Sequence, residues 1–494
     1  MTVREQEVQE PADTSPEELD RRIGAAAEAA RVLVDSRPSD RAGWLEAVAN
    51  RLDAAADSLV PLAAQETHLG ADRLQGELKR STFQLRLFAD VLRDGSFLGA
   101  TIDHADPDWP MGPRPDLRRM QRPIGPVAVY AASNFPFAFS VAGGDTASAL
   151  AAGCPVLLKA HPSHPQLSVA TGAEVVEALR ESGAPDGTFA VVTGFDTGIA
   201  LVQDPRIRAA AFTGSLRAGR SLFDLAVSRP EPIPFYGELG SVNPAFVTPD
   251  AAASRAEEVA TGFVGSMSMG NGQFCTKPGL LFVPAASGLE DRVAALAREK
   301  PAAPMLSEQI RSGYSEALAR VAERPGVRVI AGEARSDGDP SPTILAATVS
   351  DLLSDPEALT QECFGPTAIV VSYSSEEELL AAAQVFDGQL TATIHGQGPE
   401  PVTSALQNVL SERVGRVVWN GWPTGVSVSY AQHHGGPYPA TTSIQTTSVG
   451  TAAIDRFLRP VTFQDAPDDV LPPALQEDNP WRLPRRVDGV LQPA

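Results

Sequence analysis

Cys275 stands in the stretch Gly270-Asn271-Gly272-Gln273-Phe274-Cys275-Thr276-Lys277, a loop of small and amide-bearing residues. Through Pro278-Gly279 it leads into the apolar run Leu280-Leu281-Phe282-Val283. Only the thiolate is a strong nucleophile, so a cysteine on such a turn does chemistry if a substrate can reach it and a neighbour can take its proton. Free cysteines are also among the most buried residue types, and taken alone this one fits an inert core thiol as well. Glu238 is the second distinctive residue, a lone carboxylate in the uncharged segment Phe235-Tyr236-Gly237-Glu238-Leu239-Gly240-Ser241-Val242-Asn243-Pro244. Most glutamates are solvated surface charges. One flanked by glycines in an apolar stretch should have its pKa raised by burial, which suits a general base near neutrality. Asn134, in Ala131-Ala132-Ser133-Asn134-Phe135-Pro136-Phe137, is an amide held between a small residue and a proline-containing turn. Gln361-Glu362-Cys363-Phe364-Gly365-Pro366 places a further isolated carboxylate in a turn.

The elements that would position these groups alternate strand and helix. β-rich runs at Val127 to Tyr130, Val156 to Lys159, Phe189 to Val192 and Ala209 to Phe212 are separated by Ala- and Leu-rich helical stretches such as Gln166 to Glu181. That alternation implies βαβ units, a parallel sheet and an α/β fold, with ligands bound at the carboxyl ends of the strands. The loops there are unusual. Asn134 follows the first strand, and Lys159-Ala160-His161-Pro162-Ser163-His164 follows the second. Thr213-Gly214-Ser215-Leu216-Arg217-Ala218-Gly219 follows the fourth and enters a helix, as a phosphate-binding turn does, although ordinary loops share that pattern. The α/β texture resumes at Ala256 to Gly265, Leu280 to Val283, Gly326 to Ala331 and Ala368 to Tyr373. Arg416 to Gly425 and His433 to Thr441 read as Gly/Pro/aromatic loops that wall a pocket. Pro16 to Leu98 reads as helices. Asp103 to Arg122, with four prolines, reads as an extended hairpin arm, and the tail from Ala466 as a segment laid over a surface.

The 494 residues exceed one ordinary core and suggest two or three domains. A formal net charge of −21 argues against nucleic acid or an acidic membrane as partner. Three widely spaced cysteines exclude a disulfide framework or a structural zinc site, and no metal is expected. Met1 to Asp20 lacks the features of a signal peptide, and the uncharged stretch Ile124 to Gly144 is broken by Pro126, Asn134, Pro136 and Gly143-Gly144. A cytoplasmic protein without a membrane span is expected.

Asn134, the Thr213 to Gly219 turn, Glu238, Cys275 and the Glu362 to Pro366 turn, taken in that order, resemble the aldehyde dehydrogenase superfamily. The match extends over nearly the whole length. Cys275 follows Glu238 by 37 residues, and Glu362 follows Cys275 by 87. The resemblance implies a Rossmann-type dinucleotide-binding domain over 1–102 and 124–240, an α/β catalytic domain over 241–440, and a small β oligomerisation arm with a C-terminal segment over 103–123 and 441–494. It implies that Cys275 attacks an aldehyde, that Asn134 and the Cys275 backbone N–H hold the oxyanion, and that Glu238 activates the water that hydrolyses the thioester. For the cofactor it implies Lys159 at the adenine ribose, with His161, Ser163 and His164 beside it. Gly214, Ser215 and Gly219 would lie at the pyrophosphate, with Leu239 behind the site, Glu362 on the nicotinamide ribose and Phe364 near the ring. A homodimer or homotetramer is implied as well.

The strings Glu238 to Pro244, Gly272 to Pro278 and His434 to Thr441 look like the branch that oxidises 2-oxoglutarate semialdehyde. A general aliphatic aldehyde dehydrogenase is the alternative. An acylating enzyme would need no base at Glu238, and a silent structural protein on the same fold would not need to keep Cys275, Glu238 and Asn134 together. Three departures from the family pattern stand out. Pro162 replaces a glutamate that would repel a 2′-phosphate, so NADP is favoured over NAD. Ser241 and Val242 replace a glycine and a lysine after Glu238, and Ser133 replaces a tryptophan. The cation for a substrate carboxylate is not identified by the sequence; Arg122 is one candidate.

Overall fold

The computed structural model describes residues 11–335, 338–398 and 400–493. Residues 1–10, part of the expected first domain and of the N-terminal stretch read for a signal peptide, lie outside the described residues. Four helices come first: α1 (Pro16–Leu33), α2 (Pro38–Ala54), α3 (Ala56–Thr67) and α4 (Ala71–Asp94). α1 starts where the Ser15 side chain accepts from Glu18 N and Pro16 fills the first turn. α4 stops at Gly95, whose φ of 75° few other residues adopt. Leu45, Leu52, Leu74, Leu85 and Phe88 from these helices share one core with Val127, Val129 and Val156.

The proline-rich excursion is a hairpin of β1 (Thr101–Asp103) and β2 (Leu117–Pro123), bridged further out between Asp106 and Arg114. Strand and helix then alternate through β3 (Val127–Tyr130), α5 (Gly144–Ala152), β4 (Val156–Lys159), α6 (Pro165–Glu181), β5 (Phe189–Val192), α7 (Phe195–Gln203), β6 (Ala209–Thr213), α8 (Leu216–Val227) and β7 (Phe235–Glu238). The five strands from β3 to β7 form a parallel sheet in the order β5-β4-β3-β6-β7. Winding reverses between β3 and β6, and ligands of doubly wound sheets lie outside that switch point. The loop with Asn134 follows β3 and the turn with Ser215 follows β6.

A second sheet contains β8 (Ala245–Val247), β9 (Leu280–Pro284), β10 (Arg328–Ala331), β11 (Thr343–Thr348), β12 (Thr367–Tyr373), β13 (Gln389–His395) and β14 (Val414–Trp419), with α9 (Pro249–Ser268) between the first two. Its order is β10-β11-β12-β9-β8-β13-β14, parallel except where β10 joins β11. Alternation along β9 sends Leu280 and Phe282 into one core and Leu281 and Val283 into the other, so the sheet is covered on both faces. Arg416 to Trp419, read from the sequence as loop, are part of β14. The run Val417-Val418-Trp419 suits a strand, and only the residues after it form the turn.

Near the end of the chain β15 (Leu458–Gln464), β16 (Arg485–Val487) and β17 (Val490–Gln492) join β1 and β2 in the order β15-β2-β1-β16-β17. Among the described residues no helix is long and apolar enough to cross a membrane, and Ile124 to Gly144 divides into β3, a loop and the start of α5.

Candidate active site

The loop carrying Cys275 is built by backbone conformations that few residue types allow. After α9, Gly270, Asn271 and Gly272 are all left-handed, with φ of 56°, 54° and 68°. A Cβ on Gly272 would lie 2.2 Å from the carbonyl oxygen of Gly365, so only glycine lets the 362–366 turn rest against the Cys275 loop. Two buried side chains fix the outgoing strand. Asn243 Nδ2 donates to the carbonyls of Cys275 and Lys277 at 2.8 and 3.0 Å, and Lys277 Nζ donates to those of Cys363 and Thr367 at 2.7 and 2.6 Å. Ser241, where a glycine was expected, has its Oγ 2.9 Å from Asn243 Oδ1 and 3.0 Å from Gln389 Oε1, so its one O–H proton is shared between two acceptors and braces the same residue.

Glu238 ends β7. There Gly237 N donates to Thr442 Oγ1 at 2.8 Å and Leu239 N to the Ala440 carbonyl at 2.7 Å, joining the 433–442 loop to the strand. That loop delivers His434, which is fully buried. Its Nε2 lies 3.1 Å from Glu238 Oε1 and 3.7 Å from Cys275 Sγ, and the ligand-type atoms of these three residues lie within 4.8 Å of one another. The approach to Glu238 Oε1 is close but poorly aligned for a hydrogen bond. Asn134 Nδ2 donates to the carbonyl of Gln273, two residues before Cys275, at 3.0 Å. An amide nitrogen carries two protons, so one remains available for an oxyanion. Arg73 steadies this corner by donating to the Asn134 carbonyl at 2.8 Å, with its guanidinium 5.3 and 5.0 Å from the ring centres of Phe135 and Phe274.

Burial pushes the Cys275 thiol well above its ordinary pKa, and the Glu238 charge adds to the shift. The expectation for Glu238 is corrected. Burial does push its pKa up, but contacts with His434, Cys275 and Ser448 together outweigh it, and the carboxyl is held below its usual range. A protonated thiol therefore faces an ionised carboxylate. Alkylation of Cys275 by iodoacetamide should be slower at pH 7 than that of a free thiol and rise about tenfold per pH unit beyond the ordinary thiol range. Glu238→Gln should move this profile to lower pH. A profile that coincides with free cysteine would contradict both shifts.

After β6, Ser215 caps α8 by accepting from Ala218 N at 3.3 Å, and the preceding Gly214 leaves room for the ring of Phe212. A Cβ on Gly219 would lie 2.2 Å from Leu239 Cδ2 and 3.0 Å from the Phe212 ring, so the glycine seats the start of α8 on the ends of β6 and β7. The first-turn N–H groups have no acceptors within a helix, which suits a pyrophosphate, and the cradle fits a dinucleotide. Glu362 Oε2 would be 2.6 Å from a Cβ on Gly240, two residues beyond Glu238. Burial raises the Glu362 pKa and the Lys277 charge opposes it. Phe364 is half-buried on the same turn.

Lys159, whose pKa burial lowers, lies at the end of β4. His161 Nδ1 accepts from Ser163 N at 3.1 Å, and burial beside His164 and Lys159 keeps its imidazole neutral. His164 is corrected as a cofactor contact. It is fully buried, with Nε2 at 2.9 Å from the Ala132 carbonyl and Nδ1 at 3.2 Å from Ser168 Oγ, so both ring nitrogens are occupied within the fold. Arg122 is corrected as a substrate contact, since it lies in β2 and pairs with Asp35 at 3.1 Å. Sequence reasoning missed His434 as a neighbour of Cys275, Asn243 as the brace of its loop and Lys277 as the link to the 362–367 turn. The available signal for Asn243 and Lys277 was a polar or charged residue just before a proline and an apolar run.

The family profile described as Aldehyde dehydrogenase family matches residues 2–461. Alpha-ketoglutaric semialdehyde dehydrogenase 2 of Azospirillum brasilense is 46% identical over 457 residues, covering 91% of this chain and 87% of the relative. Alpha-ketoglutaric semialdehyde dehydrogenase of Acinetobacter baylyi is 44% identical, covering 96% and 91%. Among solved structures, an aldehyde dehydrogenase C variant from Pseudomonas syringae, in complex with NAD+ and octanal, aligns with a TM-score of 0.77 at 21% identity, covering 92% of this chain and 90% of that one.

Proposed function

We propose, from the premise that this chain belongs to the aldehyde dehydrogenase family, that it oxidises 2-oxoglutarate semialdehyde to 2-oxoglutarate with a nicotinamide cofactor, preferring NADP to NAD. The observation that carries the chemistry is the cluster of Cys275, His434 and Glu238 at the carboxyl end of the parallel sheet. The substrate rests on the two relatives above, which match most of this chain at 46% and 44% identity.

Cys275 Sγ forms a bond to the aldehyde carbon, its proton passing to the Glu238–His434 pair. The oxyanion accepts from the free Asn134 N–H and the Cys275 backbone N–H. Lys159, Ser215, the start of α8 and Glu362 would hold the cofactor, whose nicotinamide would supply a hydride acceptor. Glu238 then takes a proton from the water that attacks the thioester, and the carboxylate and the Cys275 thiol are released. His434 is the positioning group, since its Nε2 reaches both the sulfur and the carboxylate. Pro162, in place of an acidic side chain, supports NADP, with Lys159 as the charged donor nearby. Residues 1–102 and 124–240 would form the dinucleotide-binding domain and 241–440 the catalytic domain.

Cofactor reduction should be compared for NADP and NAD with 2-oxoglutarate semialdehyde, succinate semialdehyde and a medium-chain aliphatic aldehyde, without coenzyme A. The oxo-semialdehyde should lead in kcat/KM by about tenfold or more. A lead for the aliphatic aldehyde would leave the mechanism standing and overturn the substrate. Three unpaired cysteines suit a reducing cytoplasm. A homodimer or homotetramer is supported by β17, an edge strand with Val490 and Leu491 exposed, and a monomeric mass by light scattering would refute it.

A further inference from the structure

Two guanidiniums converge on the loop at 423–426, and among the described residues neither pairs with a carboxylate. Arg80, on α4, lies 5.2 Å from the centre of the Phe139 ring, and that ring lies 6.3 Å from the imidazole of His434, which touches Cys275 and Glu238. Its guanidinium also makes a long hydrogen bond, Nη2 to the Val426 carbonyl at 3.3 Å. Arg416, on β14, donates to the Pro423 carbonyl at 2.7 Å and, at the limit of 3.5 Å, to that of Gly425, while its buried Nε has no acceptor. Gly425 and Val426 are consecutive, so two distant elements bring their guanidiniums to one stretch of loop.

The charges around the pair are few. Burial lowers the pKa of both arginines, and Cys275 is among the groups that oppose it for each; Glu77 and Glu238 join it for Arg80. Glu77, one turn earlier on α4, uses Oε1 to accept from the amides of Phe137 and Ala138 at 2.8 and 3.0 Å. Arg73 is committed to Asn134 and two phenyl rings. The chain has 61 acidic residues against 40 basic ones, yet neither Arg80 nor Arg416 forms an ion pair among the described residues. Desolvating a guanidinium is costly unless an anion arrives to meet it.

We propose that Arg80 and Arg416 bind the carboxylate at the far end of the substrate, so that the site selects aldehydes bearing a carboxylate a few carbons from the carbonyl. The assignment rests on the substrate proposed above. A planar fork over an aromatic ring pairs with a carboxylate through two N–H donors, and Phe139 supplies that ring for Arg80. The loop at 423–426 holds the second guanidinium in place before substrate enters, which limits the ordering cost of binding.

The test compares 2-oxoglutarate semialdehyde with pentanal, which has the same chain length and no charge, on the full-length enzyme with saturating cofactor. Arg80→Met and Arg416→Met should each lower kcat/KM for the semialdehyde by about 100-fold, chiefly through KM, with a loss for pentanal at least about tenfold smaller. Arg80→Lys should recover part of the loss because it keeps the charge. Glutarate should inhibit the wild type competitively against the aldehyde, and its Ki should rise about tenfold or more in both methionine variants. Equal losses for the two aldehydes, or a carboxylate preference that survives in the double variant, would overturn the arginine assignment. A wild type that prefers pentanal sinks the substrate proposal itself. A wild type that prefers the semialdehyde, joined to an unchanged preference in the double variant, sinks only the arginines.

Discussion

Cys275→Ala should lower aldehyde oxidation by about 10⁴-fold or more, because in the proposed mechanism the thiohemiacetal and the thioester both form on that sulfur. Asn134 and Glu238 would remain, but they stabilise and hydrolyse intermediates that no longer form. Cys363, half-buried beside Glu362, is a poor substitute, since burial pushes its thiol up to about 11. Cys275 is half-buried and packs in no hydrophobic cluster, so alanine should leave the fold intact. The measurement is turnover by cofactor absorbance beside cofactor affinity by fluorescence. Lost turnover with retained affinity is the expected pair of results. Turnover within tenfold of wild type would remove Cys275 from the mechanism.

Glu238→Gln separates the two halves of the reaction. Attack and oxidation leave a thioester, and its hydrolysis needs a base, so the variant should release one reduced cofactor per subunit in a burst and then turn over about 10²- to 10⁴-fold more slowly than wild type. Because the Glu238 charge raises the Cys275 pKa, its removal should also leave the burst intact at lower pH than in the wild type. Rapid-quench kinetics with mass spectrometry of the acylated enzyme would read both effects. Near-normal steady turnover in this variant, with a stalled acyl-enzyme in His434→Asn, would transfer the role of base to the imidazole.

The parallel sheet around β3, β4 and β6 was legible because strands covered on both faces read as unbroken apolar runs, and Val127 to Tyr130 and Val156 to Lys159 have the bounds that those runs suggest. Cys275, Glu238 and Asn134 stood out in the sequence as candidates because each is a reactive or polar residue set among glycine, proline and apolar neighbours. His434 was not, since nothing local in a Gly/Pro loop reveals that its imidazole reaches a sulfur 159 residues away. The same blindness misjudged Glu238. Its burial could be inferred from flanking residues, but the direction of its pKa depends on a partner that only the fold brings near. His164 failed for the converse reason, because a polar residue in a loop after a strand looks available to a ligand until the fold turns it inward.

The small mixed sheet imposes an order on biosynthesis. Leu458 of β15 pairs with Pro123 of β2, and β1 pairs with β16, so β2 gains one neighbour from a segment made 335 residues later. At a translation rate of about 5–20 residues per second, β2 waits on the ribosome for roughly 20–70 s with one edge unpaired. An open edge invites pairing with the same strand of a neighbouring nascent chain. Arg118, Arg119 and Arg122 put three like charges into that strand, and two identical edges carrying them repel each other until the end of the chain arrives.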